Sequence, residues 1–328
     1  MTRRREISIA VAIAVLYAVL AVAAPGFFTR ENFSDLFLGN FPVLLAAMGA
    51  TLVILAGEID ISIGSVFAIC GVVAGVSAVA GVPLAANIVI TCAAGAALGS
   101  LNGALVAVAG LPSIVVTLAT MVALREGLRW ATEGAWVQNL PASFQWLGLA
   151  QSSYPIVALA ATLLLQVTFS WASRHVSAFR SVYATGSDAE AARLAGIATA
   201  RVKWAVFTVG GACTGLAAFM NAVRFNQIPS NAGIGLEMKV IAAVVVGGAA
   251  IGGGRGSFGG TLLGVILLAS VGPALVFLGV TSYWERALHG AIVLAAVGID
   301  ALAARRAHAR GTRGMGLGPR TAGAVPVS

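Results

Sequence analysis

Ile61-Ser62-Ile63-Gly64 opens a stretch that runs to Met121-Val122-Ala123-Leu124 without one Asp, Glu, Lys or Arg. A helix that crosses a bilayer needs about 20 apolar residues, so this stretch alone has the length for about three crossings. Working outward, charge-free runs recur over Gly134–Ser173, Trp204–Val223 and Gly256–Trp284. Of the 328 residues, 59% are hydrophobic and 10% charged, and the mean hydropathy is +0.94. A water-soluble domain carries about 25% charged residues because its surface must be hydrated. These features predict an all-α, polytopic membrane helix bundle.

Ten spans fit the pattern, at 7–24, 41–57, 62–82, 84–109, 113–130, 154–172, 204–223, 238–252, 258–279 and 285–303. Arg3-Arg4-Arg5 places the N-terminus in the cytoplasm, and an even count returns the C-terminus there. About 14 of the 20 Lys and Arg then lie on the cytoplasmic side, in keeping with the positive-inside rule. The longest external loop, 131–153, holds Trp136, Phe144 and Trp146, residues suited to a membrane interface. The apolar run from Ile7 is longer than the core of a secretory signal, so we read it as an uncleaved first helix. Residues 1–303 form the expected membrane domain, and 304–328 a basic, disordered cytoplasmic tail.

The formal net charge of +8 follows from this topology and not from nucleic-acid binding, since no basic run is interleaved with aromatics. Cys70, Cys92 and Cys213 fall inside apolar spans as small hydrophobes, and His175, His289 and His308 show no ligand spacing. Neither metal nor cofactor is expected. Gly254-x-Gly256-x-x-Gly259 matches a dinucleotide fingerprint in letters only, because it joins two membrane spans and not a strand to a helix. The two lysines, Lys203 and Lys239, do not follow glycine, so the chain holds no P-loop, and an ATPase that drives transport would be a separate chain.

Residues 173–203 are the one long polar cytoplasmic segment. At its centre, Gly186-Ser187-Asp188-Ala189-Glu190-Ala191-Ala192-Arg193-Leu194-Ala195-Gly196 predicts a two-turn helix. Ser187 and Glu190 have the spacing of a capping box, the alanines favour helix, and Gly196 suits the position past its end. Small side chains would let it dock in a groove on a partner; an ordinary interfacial helix is the alternative.

Phe179-Arg180, Tyr183-Ala184-x-Gly186, Ala191-Ala192-Arg193 and Gly196-Ile197 resemble the coupling loop of the permease subunits of ribose-type ABC importers. Phe179 stands where Gly is usual, and Ser187-Asp188 where Gly-Asn is common. Gly57-Glu58-Ile59-Asp60-Ile61-Ser62-Ile63-Gly64 resembles the family's signature between the second and third spans, except at Glu58. Asn102-Gly103 with Leu111-Pro112-Ser113 and Thr117-Leu118-Ala119-Thr120, and Gly235-x-Glu237 through Gly252-Gly253-Gly254-Arg255-Gly256, resemble its remaining signatures in order. The resemblance implies a non-enzymatic channel subunit of the bacterial inner membrane, translocating a monosaccharide. Its implied partners are an ABC ATPase docked at Gly186, Ser187, Asp188, Glu190, Ala191, Ala192, Arg193 and Gly196, a periplasmic binding protein, a second permease copy or paralogue, and membrane lipid. The external stretch Trp136–Trp146 resembles rhamnose-type permeases, which points to rhamnose or the furanosyl autoinducer-2 class.

Three polar residues carry open alternatives. Asp60 either caps the helix starting near Ile63 or contacts solute. Asn102 either bonds helix to helix or lines the path. Thr117 belongs with them. Two rival classes remain: a branched-chain amino-acid or nucleoside permease, which would need charges along its path, and a proton-driven carrier, for which Asp60 is the main candidate.

Overall fold

A lipid-embedded backbone must satisfy its own N–H and C=O groups, which helices do within one segment. In a computed structural model of the chain, residues 2–281 are described, with 284, 285, 287, 288, 290–292, 294, 295 and 298 beyond them. The named α-helices among these residues are α1 (Thr2–Ala23), α2 (Arg30–Leu55), α3 (Ile63–Val79), α4 (Leu84–Ala107), α5 (Ser113–Thr132), α6 (Tyr154–His175), α7 (Ser177–Ser187), α8 (Ala189–Leu194), α9 (Thr199–Ala222), α10 (Leu236–Val246) and α11 (Phe258–Phe277). The chain is an all-α membrane bundle. Six helices, α1, α2, α4, α6, α9 and α11, are long and apolar enough to cross a bilayer unaided. The tenth expected span, 285–303, lies about half outside the described residues, and the tail 304–328, with His308, lies wholly outside them.

The eighth expected span differs. In place of a helix over 238–252, α10 has 11 residues. At 1.5 Å per residue it covers about 16 Å, half of a hydrocarbon core about 30 Å thick. The rest of the crossing is the non-helical connection 223–235, which descends along α3. Ile228 lies against Gly71 and Gly75 of α3, and Gly233 against Gly64, nearer the start of that helix. Gly235, at φ +81°, then turns the chain into α10. Such irregular backbone at membrane depth is tolerated where protein surrounds it, and Ile228 and Ser230 are buried.

The bundle is organised around contact between α4 and α9. A Cβ on Gly211 of α9 would stand 2.1 Å from the carbonyl oxygen of Gly95 on α4, and one on Gly99 2.2 Å from that of Phe207. The two backbones touch, as small residues permit in lipid. α2 packs alongside, its inner half buried from Phe41 to Leu55.

One end of the bundle gathers several helix termini and the loop 247–257. Ser257, which caps α11, donates from Oγ to Glu6 Oε1 of α1 at 2.5 Å. Gly254 N donates to Leu55 O at 2.9 Å, and Tyr183 Oη to Gly256 O at 3.1 Å. The start of α1, the end of α2, the end of α7 and the loop 247–257 therefore share one end, the end expected to be cytoplasmic from the arginine distribution. At the opposite end the loops 133–153 and 223–235 are pinned together. Val137 and Ile228 exchange two backbone hydrogen bonds, each 2.9 Å, and Trp146 N donates to Val223 O at 2.7 Å.

Candidate functional site

The polar segment 176–198 folds as two helices at an angle, α7 and α8. α7 is the anchor. Phe179 packs edge-on against Phe169 of α6 and Phe258 of α11, with ring centroids 6.1 Å away in each case. Val182 and Thr185 are buried beneath it. At its end Gly186 approaches α2 so closely that a Cβ there would lie 1.9 Å from Leu55 O and 2.6 Å from Gly254 N. Only glycine fits between these two backbones.

α8 is capped by Asp188, whose Oδ1 accepts from Glu190 N (3.0 Å) and Ala191 N (2.9 Å). This corrects the expected capping box. Ser187 Oγ instead donates back to Tyr183 O at 2.8 Å inside α7, and Glu190 pairs with Arg193 at 2.6 Å. A carboxylate accepts two amides where a hydroxyl accepts one less strongly, and its charge suits a helix N-terminus. Gly196 adopts φ +86° just past the helix. Ala191, Arg193 and Glu190 are exposed, and Leu194 is 78% exposed. Ala192, expected on the docking face, is turned inward at 5% exposure. Leu194 was missed by the sequence reading. The exposed face is thus small at Ala191, apolar at Leu194 and polar at its flank.

Asp60, Asn102 and Thr117 are brought into one buried seam, where the start of α3 meets α4 and α5. Asp60 Oδ1 accepts from Ser62 N (2.8 Å) and Ser62 Oγ (2.6 Å), and Asn102 Nδ2 donates to Ser62 Oγ at 2.8 Å. Thr117 Oγ1 is within hydrogen-bond reach of Ser113 O (2.8 Å) and Ile59 O (3.3 Å). Ser65 Oγ donates to Met121 O at 2.7 Å, so α5 is stitched to the segment 59–65 along two turns. Burial pushes the Asp60 carboxyl up, against the lowering effect of the two Ser62 hydrogen bonds. Every partner named here is internal, and the polar groups hold helices together. Glu58, the departure from the resembling signature, is answered by Lys203 of α9 through an ion pair of 2.5 Å.

Two charges converge without pairing. A Cβ on Gly64 would lie 2.1 Å from Glu237 Oε2 and 3.1 Å from Arg125 Nη2. Glu237 Oε2 and Arg125 Nη1 are both buried with no hydrogen-bond partner among the described residues. Among the described residues there is no group of His, Cys, Asp and Glu fit to hold a metal.

Residues 32–297 match the family described as "Branched-chain amino acid transport system / permease component". Over 298 residues the chain is 35% identical to the autoinducer 2 import system permease protein LsrC of Yersinia pseudotuberculosis serotype O:1b (strain IP 31758), covering 90% of this chain and 84% of that one. It is 34% identical over 302 residues to LsrC of Photorhabdus laumondii, covering 90% and 89%. LsrC of Yersinia pestis (strain Pestoides F) is 35% identical over 298 residues, covering 90% and 84%. No solved structure matches.

The family match and these identities put this polytopic helix bundle in the class of ABC importer permeases. The chain is a member of this permease family, of ribose-type sugar permeases, and a non-enzymatic multi-pass protein of the inner membrane.

Proposed function

We propose that the chain is the channel-forming subunit of a binding-protein-dependent importer of autoinducer 2 or a related small neutral sugar such as rhamnose. The observation that carries this is the 34–35% identity, over 90% of the chain, to permeases of autoinducer 2 import. Two copies, or this chain and a paralogue, flank the path in the surrounding lipid. A separate ATPase receives α8 in a groove, and a periplasmic binding protein delivers solute to the opposite end. Closure of the ATPase pair displaces α8. Because Gly186 sits on the α2 carbonyl and Phe179 in the α6–α11 aromatic cluster, α7 passes that displacement to three spanning helices together. The bundle then rocks between outward and inward states, as alternating access requires.

The test is uptake by proteoliposomes holding the permease, its ATPase and its binding protein. Labelled autoinducer 2 accumulates with ATP, and unlabelled rhamnose in excess ranks the two solutes. A second reading, a branched-chain amino-acid permease, is favoured by one observation. Arg125 Nη1 and Glu237 Oε2, buried and without hydrogen-bond partners among the described residues, offer partners for a carboxylate and an ammonium group. Leucine accumulation by the same vesicles would select it.

A further inference from the structure

A cavity of about 350 Å³ lies at the extracytoplasmic end, between α3, α9 and the pinned outer loops. Its wall includes Phe67, Trp136, Asn221, Phe225, Asn226 and Gln227, and no charged side chain among the described residues lines it. Trp136 and Phe225 are each 46% exposed. Among the described residues no hydrogen bond engages the side-chain amides of Asn221, Asn226 or Gln227.

We propose that this cavity is the first solute site of the permease, and that it takes a neutral, polyhydroxylated solute of monosaccharide size. The inference rests on the import reading and gives it a place in the fold.

Its chemistry is the argument. Each side-chain amide presents both donors and an acceptor, the match for a hydroxyl that both donates and accepts. Aromatic side chains supply flat apolar area for the C–H face of a sugar ring. A wall without charge suits a solute without charge. Ligand sites run from about 300 to 1,000 Å³, so a cavity at the lower limit admits one small ring.

Its position agrees. The wall is built and not accidental, since the antiparallel double hydrogen bond between Val137 and Ile228 sets Trp136 across from Pro229, and both line the cavity. Toward the cytoplasm the cavity is closed where α3 meets the descending connection. A Cβ on Gly233 would lie 2.5 Å from Gly64 O and 3.2 Å from Phe67 Cδ1, so backbone touches backbone below the Phe67 ring. A solute arriving from outside stops there until the connection and α3 separate.

The test uses the complete transporter in right-side-out vesicles. Asn226→Cys is labelled from outside with an impermeant maleimide, and labelling of the wild type, which keeps Cys70, Cys92 and Cys213, is subtracted. Millimolar autoinducer 2 or rhamnose should slow labelling at least fivefold, and leucine should not. Asn221→Leu, which keeps the branched shape and removes the amide, should slow autoinducer 2 uptake at least fivefold while the loaded binding protein still binds the vesicles as before. Asn221→Gln should restore part of the rate. Absence of labelling, labelling that neither sugar slows, or labelling slowed by leucine overturns the proposal, as does loss of binding-protein docking as the sole defect of Asn221→Leu. Uptake by the wild type is scored separately. Protection without uptake refutes the import reading and leaves the site standing, whereas uptake without protection does the reverse.

Discussion

Gly186 of α7 rests on the carbonyl of Leu55, the last residue of α2, at a separation that leaves no room for a β-carbon, and Gly254 N donates to that same carbonyl at 2.9 Å. Three elements distant in sequence therefore meet at one oxygen. A displacement of α7 is transmitted by backbone contact and not by side chains that can reorient. Gly186→Val should cost about 3 kcal/mol or more, the upper end for an overpacked site, because its β-carbon meets backbone; it should lower the melting temperature in detergent and abolish uptake. Gly196→Ala should cost only about 1–2 kcal/mol, the ordinary strain of a left-handed residue, because no atom stands near a Cβ there. Equal melting curves for the two variants would contradict this contact.

Glu58 and Lys203 form a largely buried ion pair of 2.5 Å between the α2–α3 connection and α9. Removing one partner of a buried pair leaves a charge without compensation and costs about 3–5 kcal/mol. Glu58→Gln and Lys203→Met should each destabilise strongly, and the double variant should recover much of the loss. A thermodynamic cycle from unfolding curves reads the coupling. Additive losses would show that the pair contributes nothing jointly.

The two alanines of α8 should behave differently. Ala191→Asp alters an exposed face, so the ATPase should no longer co-purify while the melting temperature holds. Ala192→Asp places a carboxylate where the chain buries Ala192 against itself, so stability should fall before any docking defect is visible. Leu194→Asp should match Ala191→Asp. Retention of the ATPase by both exposed-face variants would remove α8 from the interface.

Asp60 should tolerate loss of charge and not loss of its acceptor. Asn keeps an oxygen for Ser62, so Asp60→Asn should retain substantial uptake, and Asp60→Leu should impair assembly. The sign of the pH effect follows from the raised carboxyl. The fold holds the proton more tightly than the unfolded chain does, so the carboxylate costs stability as pH climbs from its ordinary range through the raised value. The Asn variant should lack that slope. Full loss of uptake in a well-inserted Asn variant would make the charge itself functional.

Much of this was legible in the sequence because lipid imposes few solutions. Charge-free length marked the helices, and the segments expected on one side of the membrane do gather Leu55, Tyr183 and Gly254 at one end of the bundle. What pattern could not supply was tertiary. Hydropathy counts apolar residues and not their conformation, so α10 and the loop 247–252 after it read together as one span, and the descending connection 223–235 did not read as part of a crossing. Ser187 and Asp188 are adjacent caps of similar propensity, and the end of α7, where Ser187 bonds back to Tyr183, decided between them. Ala192 faces inward and Leu194 outward, an orientation set by how α8 seats on the rest of the chain, which local sequence does not encode. Arg125 and Glu237 are far apart in sequence and show their convergence only in space.

The central claim is that a separate ATPase drives this permease. Its most direct test is autoinducer 2 uptake by proteoliposomes containing permease, ATPase and binding protein, with ATP and the proton gradient varied independently. The account predicts accumulation that requires hydrolysable ATP and continues unchanged when the gradient is collapsed. Accumulation that follows the gradient in the absence of ATP would contradict it.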